Sequence, residues 1–299
     1  VLLRLEKGGK GKTVYATGGD IEFIAINFTD PNTEIDGERS SMKTKHPIFS
    51  DPNVRKALSL LVDRESVKKA IYGRAGRTTA NYLNGPEKFV SKNTSWEFSV
   101  EKASKMLDDA GWKVGADGIR EKDGKKLKLL YQTSTNGPRQ KTQAIVKQAC
   151  QKAGIDVELK SVVASVFFSS DVANPDTYPK FYADIEEFQI PMTQPDPALH
   201  MRRYISANVA TKENKWQGQN FPRYVNKDYD AAIAAAETET DPIKRAALYI
   251  KCNDLLWKDT VFIPVMHRLK VEAAANTLRP ALSGWANETD NIQDWYREA

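Results

Sequence analysis

His46-Pro47-Ile48-Phe49-Ser50-Asp51-Pro52-Asn53-Val54-Arg55-Lys56-Ala57-Leu58, continued by Asp63-Arg64-Glu65-Ser66-Val67 and Ile71-Tyr72-Gly73, is the stretch on which the fold turns. Asp51 is suited to an N-cap, and Pro52 to the first helical position, where a missing N–H costs nothing. Val54, Leu58, Leu61 and Val62 then share one face at helical spacing. Asp63 caps a second short helix with Val67, Ala70 and Ile71 inward, and Gly73 is its stop. The stretch carries no catalytic chemistry. It marks where a packed domain begins.

Downstream, Ser99 caps a helix through Ala110, with Ala103, Met106 and Leu107 inward and Gly111 as its stop. Asp117-Gly118 and Asp123-Gly124 bracket a short hairpin arm. The strand Leu127 to Tyr131 then leads to a helix opened by Pro138 and ended by Gly154, followed by the strand Ile155 to Leu159. This β-α-β unit calls for parallel strands and a right-handed connection. Val162 to Phe168 reads as a short helix or turn, and Tyr182 to Phe188 as the next strand. Helices follow over Tyr229 to Ala236 and from Asp241-Pro242 onward, the latter with Ala246, Tyr249, Ile250, Asn253 and Trp257 inward. A last strand covers Val261 to Met266, and an aromatic-bearing tail runs from Ser283 to Tyr296. Upstream, Ile21 to Phe28 is strand-like and Thr29 to Lys45 is polar and turn-rich.

At 299 residues the chain is long enough to bury a substantial core. Its formal net charge of +5 comes from lysines and arginines scattered among acids, which does not favour nucleic-acid binding. No apolar run approaches the roughly 18 residues of a membrane helix. Cys150 and Cys252 fall inside helical patterns, as small buried apolar residues do. Whether the two meet is not readable from the sequence. Gly8-Gly9-Lys10-Gly11-Lys12-Thr13 invites a phosphate-loop reading, but Glu6 stands where that motif needs its first glycine. A glycine-rich turn between strands is the better reading. The chain opens on Val1 without a leader pattern, as a mature or truncated product would.

The pattern His-Pro-x-Phe-x-Asp-x-x-Val-Arg-x-Ala-Leu, with Asp-Arg-Glu and Tyr-Gly after it, resembles the signature of the peptide/nickel/opine-type solute-binding proteins of ABC importers. Ile24-Ala25-Ile26-Asn27-Phe28 resembles the lead-in strand of that family. Ala103 to Trp112, Asn226 to Ile233, Asp241 to Tyr249 and Val261 to Val265 resemble further family segments, in family order. The resemblance implies an α/β fold: a periplasmic-binding-protein-like (class II) lobe with a mixed sheet flanked by helices, plus hinge-crossing strands to a second lobe. Fewer than fifty residues precede His46, whereas the family carries a long part before its signature. The expectation is a C-terminal portion: residues 1–45 ending a first lobe and crossing the hinge, 46–265 forming the ligand-binding lobe, and 266–299 returning. The second lobe would then be mostly missing, and the chain would bind solute poorly alone.

Candidate contacts come from several places. Ligands of open α/β sheets bind beyond the carboxyl ends of strands, which singles out the loop Gln132 to Arg139. Arg139 suits a bidentate carboxylate, although a solvated helix-start arginine is the plainer reading. In the long loop before Asp228, Trp216 and Phe221 are candidates for apolar contact, and Asn220 and Arg223 for polar specificity; a rigid surface loop is the alternative. The resemblance adds Asn81 and Tyr82 on a cleft rim, and the element Phe188 to Pro197 with Phe188, Gln189 and Asp196. In peptide-binding members an acid soon after the aromatic residue of that element pairs with the ligand's amino group. Here Gln189, Ile190 and Pro191 stand there, which puts a ligand with a free amino terminus in doubt. Asp196 matches the Asp-Pro step and is also suited to capping the following helix.

No catalytic constellation assembles. His46, His200 and His267 lack metal-ligand spacing, no Gly-x-Ser-x-Gly or His-Glu-x-x-His occurs, and Asp108-Asp109 and Glu186-Glu187 are merely adjacent. The sequence reading is therefore a non-enzymatic solute binder, periplasmic or extracellular, without cofactor or metal. Its expected partners are a small solute, an oligopeptide or a related compound, and the membrane permease of an ABC importer, with no nucleic acid. A scaffold or receptor-partner domain on the same lobe is the alternative, and a hydrolase stands behind both.

Overall fold

A computed structural model describes residues 2–9 and 11–298 of the chain. A helix over Leu2–Lys7 turns at Gly8-Gly9, with Gly9 at φ +69°, into strand β1 (Gly11–Ala16). The glycine-rich turn thus joins a helix to a strand, not two strands; Val1 and Lys10 lie outside the described residues. β2 (Ile21–Ile26) follows, then an irregular crossing that leads to His46.

The two signature helices form as their caps dictate. Asp51 accepts from Asn53 N and opens Pro52–Leu60, while Asp63 accepts from Ser66 N and opens Arg64–Val67. The second helix widens into a π turn over Lys68–Tyr72 and stops at Gly73, whose φ of +53° is the conformation glycine tolerates. β3 (Gly76–Thr78) is a short edge strand. Ser99 caps Val100–Asp109, after which the arm β4 (Lys113–Val114), β5 (Arg120–Lys122) and β6 (Lys125–Lys126) folds on Asp117-Gly118 and Asp123-Gly124. β7 (Lys128–Ser134), the helix Gly137–Lys152 and β8 (Asp156–Val162) make the β-α-β unit, with the strands parallel from Lys128↔Asp156 to Ser134↔Val162.

β9 (Ile185–Ile190) and β10 (Phe262–Arg268) complete a six-stranded mixed sheet in the order β3-β10-β2-β9-β7-β8. β2 therefore lies inside this sheet, upstream of the boundary expected at residue 46. The observed β9 begins and ends later than the Tyr182–Phe188 expected, because its register follows pairing with β2, from Ile21↔Ile190 to Ile26↔Ile185.

Each face of the sheet builds its own core. Ile24, Ile26, Tyr131, Ile185 and Ile263 pack under Val54, Leu58, Val67, Leu107, Val146 and Cys150. Phe23, Ala25, Phe188 and Phe262 pack under Met201, Tyr204, Tyr229, Ile233, Tyr249 and Cys252. β2 is buried along its whole length because both faces are covered. Cys150 and Cys252 are free, and burial pushes each thiol up to about 12. The sheet keeps them apart.

Two strands leave the sheet together. Beyond Asp20 the chain preceding β2 is β1, and beyond Leu269 the chain following β10 is β11 (Lys270–Ala275). β1 pairs antiparallel with β11 over Gly11↔Ala275 to Ala16↔Lys270, as β2 pairs with β10. Leu278–Arg279 and Tyr296–Arg297 form a small ribbon, β12 and β13, near the end of the chain. Of the inner face expected for Pro242–Lys258, Ala246, Tyr249 and Asn253 are buried, whereas Trp257 is exposed and donates Nε1–H to the Ser95 carbonyl at 3.0 Å. Among the described residues no helix is long and apolar enough to cross a membrane.

Candidate functional site

The carboxyl ends of the parallel strands β7, β8 and β9 open on the side of the sheet where the double strand crosses. Ser134, Val162 and Ile190 end there, Ile21 begins there, and Arg268 leaves there. This is the place at which an open α/β sheet presents ligand contacts.

A polar knot occupies that end. Asn136 caps the helix Gly137–Lys152 and so fixes Arg139 in its first turn. Arg139 grips Glu22 with both arms, Nε to Oε2 at 3.0 Å and Nη2 to Oε1 at 3.2 Å, and Nη1 donates to Ser134 Oγ at 3.2 Å. Arg268 donates to the same Glu22 carboxylate at 2.9 Å and to Gln189 Oε1. Glu22 is only 2% exposed, and two guanidinium groups are what a carboxylate so far from water needs. The Arg268 side chain is 40% exposed, so its outer half faces solvent. Phe168 lies 5.9 Å from the Arg139 guanidinium, and both Phe168 and Val163 are exposed at this end. Asp20 sits at the crossing, where burial raises its carboxyl above the usual range against the pull of Gln189 and Arg268.

Behind the knot lies Glu187, which accepts from Tyr131 Oη at 2.7 Å while its Oε1 has no partner. Burial, reinforced by Glu22, pushes its carboxyl well up. Glu186 is pushed up too, by burial, but on the opposite face, where Gln132 donates to it at 2.9 Å. The two adjacent acids therefore cannot act as a pair.

Of the residues singled out in the sequence, the structure brings Arg139 and Gln189 to this end. Arg139, however, is already engaged by Glu22, so it is neither solvated nor free for a ligand carboxylate. Several other candidates are spent on the fold. Asn81 donates to Ser91 O and accepts from Asn253, whose Oδ1 in turn takes the N–H groups of Tyr82 and Leu83. The Tyr82 ring stacks on His200 at 5.0 Å and its hydroxyl meets that of Tyr204. Phe188 is 1% exposed among aromatic rings. Asn220 donates to Tyr204 O, Ile205 O and Tyr224 O, pinning its loop. Arg223 donates to Lys180 O and Phe221 O, and burial lowers its guanidinium to about 10. Asp196 is an exposed partner of Arg245 at 2.8 and 3.0 Å and accepts from Ala198 N, but it is not the cap its second reading expected, because Pro197 holds the cap position of Ala198–Arg202. Trp216 borders a separate hollow of about 180 Å³, with Lys180 Nζ 4.4 Å above its ring.

Sequence reasoning missed Glu22 and Arg268, the two residues that organise the site. Their sequence signal is slight: Glu22 is a charge inside an otherwise apolar strand, and Arg268 is a charge at the end of one, just before the crossing. The histidines are structural: His46 reaches Asp184 at 2.9 Å and caps Ile48 N and Phe49 N, and His267 meets Gly18 O. His200 is buried without a partner, and burial lowers it to about 3. Among the described residues, no three His, Cys, Asp or Glu side chains gather as a metal cluster would require.

The family model for bacterial extracellular solute-binding proteins, family 5 Middle, matches residues 2–204. Protein XP55 of Streptomyces lividans is 24% identical over 257 residues, which cover 81% of this chain and 45% of that protein. The oligopeptide-binding protein AppA of Bacillus subtilis is 31% identical over 166 residues, 48% of this chain and 30% of its own length. Among solved structures, the oligopeptide binding protein from Thermus thermophilus, complexed with pentapeptide, superposes with a TM-score of 0.76 at 21% identity. That alignment covers 94% of this chain and 47% of that one. The chain thus spans about half the length of the proteins it matches.

Proposed function

Because this chain belongs to the bacterial extracellular solute-binding proteins of family 5, we propose that it forms one lobe of a two-lobed receptor that captures a small solute outside the cytoplasmic membrane and hands it to an ABC importer. The observation that carries this reading is the double crossing: β2 and β10, paired in the large sheet, continue as β1 and β11, paired outside it. Two strands leaving together make a joint that bends across the pair while resisting shear. The carboxyl ends of three parallel strands open beside it. Residues 46–265, with β2, the stretch after it and the end of β10, supply the binding lobe, while the links from β1 to β2 and from β10 to β11 carry the hinge and lead to the other lobe.

The solute is an oligopeptide or a related small compound, held between the lobes without chemistry on it. Gln189 is among the residues that stand where peptide-binding members carry an acid, and it accepts from Arg268, whose outer half faces solvent. A donor there suits a carboxylate or another acceptor on the solute better than a free amine. Glu22, itself gripped by Arg139, holds Arg268 in place.

A thermal-shift screen of this chain, alone and within the two-lobed protein, tests the reading with di- to pentapeptides, opines, sugars and nickel complexes. A ligand at about a hundred times its Kd adds roughly 2.7 kcal/mol of stability. A shift in the two-lobed protein that Arg268→Ala abolishes is the expected result. A shift of equal size in this chain alone would move the whole site into one lobe, and silence in both would overturn the reading.

A further inference from the structure

A second cavity lies along the edge of β10, away from the crossing, and nothing in the transport reading uses it. Its volume is about 330 Å³, at the small end of the roughly 300–1,000 Å³ of small-molecule sites. β3 pairs with β10 only at Met266, His267 and Arg268, so the edge nearer Phe262 is left uncovered by a strand. Arg64 covers part of it, donating from Nε to the Pro264 carbonyl at 2.7 Å. Nη1 reaches the carbonyls of Val62 at 3.3 Å and Ser59 at 3.5 Å, and Nη2 has no hydrogen-bond partner among the described residues.

Arg64 is 1% exposed, yet among the described residues no carboxylate pairs with it. Two other buried arginines on this side have acids, Arg120 with Asp108 at 2.7 Å and Arg139 with Glu22. Arg55 also bonds only carbonyls, those of Asp259 and Phe49, but the carboxylates of Asp259 and Asp51 act on its charge, whereas on Arg64 only burial acts. A buried guanidinium with carbonyls alone keeps its whole charge unneutralised. The ring of Trp96 lies 5.3 Å from it. Trp257 lines the same cavity with 39% of its surface exposed, steadied by its bond to Ser95. Lys56 and Lys258 stand at the mouth. The lining acid, Glu97, is tied to Lys102 at 2.7 and 2.9 Å.

We propose that this cavity is a second ligand site, for a small monocarboxylate with an aromatic or apolar body, whose carboxylate pairs with Arg64 and whose body lies against Trp96 and Trp257. The carboxylate supplies the counter-charge that the fold withholds, and the two indoles supply apolar area at little entropic cost.

The test uses 3-phenylpropionate and its neutral counterpart 3-phenylpropionamide, titrated into the chain and followed by saturation-transfer NMR. The acid is expected to bind saturably and the amide about tenfold or more weakly, the ratio expected for a charge-assisted hydrogen bond. Trp257→Ala, at an exposed side chain outside both cores, is expected to weaken the acid several-fold. Lys258→Gln is expected to do so to a lesser degree. These two variants keep the test decisive should Arg64 variants fail to fold. Equal binding of acid and amide, non-saturable binding, or unchanged affinity in Trp257→Ala would each overturn the proposal. None of these outcomes depends on the solute held between the lobes.

Discussion

Arg139 and Arg64 each sit in the first turn of a helix packed over the Ile24 face of the sheet, and both are withdrawn from water. Their surroundings part company there. Arg139 meets a carboxylate fork to fork, and Glu22 is in turn shared with Arg268. Arg64 meets only carbonyl oxygens and an indole face. The first arrangement is closed, since every charge has its partner and only the outer half of Arg268 is left to work with. The second is open, because its counter-charge has to come from outside. The lesson is that a buried arginine is informative about function where its charge goes unneutralised and also faces a cavity, as that of Arg64 does and those of Arg55 and Arg223 do not.

The comparison breaks most readily at Glu22. Glu22→Ala leaves two guanidinium groups facing each other at the knot and is expected to cost about 3–5 kcal/mol in urea unfolding. A loss below about 1 kcal/mol would mean that the knot is not charge-closed. Arg64→Met removes a cation that has no acid to strand, so the expected cost is the Pro264 carbonyl's lost donor, about 1–3 kcal/mol. A loss as large as that of Glu22→Ala would erase the contrast between the two regions.

Glu187 sharpens the closed side through pH. Burial, with Glu22 beside it, holds its folded carboxyl well above the ordinary 4.5. As pH rises through that ordinary value, the unfolded chain releases a proton that the folded chain retains, so stability falls as pH rises. Glu187→Gln removes this slope. Melting temperatures of the variant and the parent are expected to diverge in the variant's favour from about pH 5 to pH 8. Parallel curves would show that Glu187 is ionised in the fold. The smallest effect belongs to the exposed pair Asp196–Arg245. Asp196→Ala is expected to cost at most about 1 kcal/mol, and less in high salt.

The fold was legible wherever its determinants were neighbours in the chain. Asp51, Asp63, Ser99 and Asp241 each cap a backbone N–H two or three residues away, and Gly111, Gly118, Gly124 and Gly154 take the positive φ that their turns need. The parallel pair around Gly137–Lys152 was equally readable, because a helix between two strands leaves one handed way back. The site was not. Asn81, Asn220 and Arg223 carry the residue types of a binding loop, but carbonyls of Ser91, Tyr204 and Lys180 reach them first.

Taken alone, the sequence determined the order of helices and strands, the apolar faces that those elements bury, and the family to which the signature at His46 points. These rest on caps, turns and apolar periodicity, forces that act within a few residues. Only the tertiary structure decided which charges meet. Glu22 and Arg139 are 117 residues apart and Glu22 and Arg268 are 246 apart, so their pairing depends on the register of β2 against β9 and β10. The same register left Arg64 with no acid. A charge's worth in a protein is set by its desolvation and its partner, and both are properties of the packed molecule rather than of the chain.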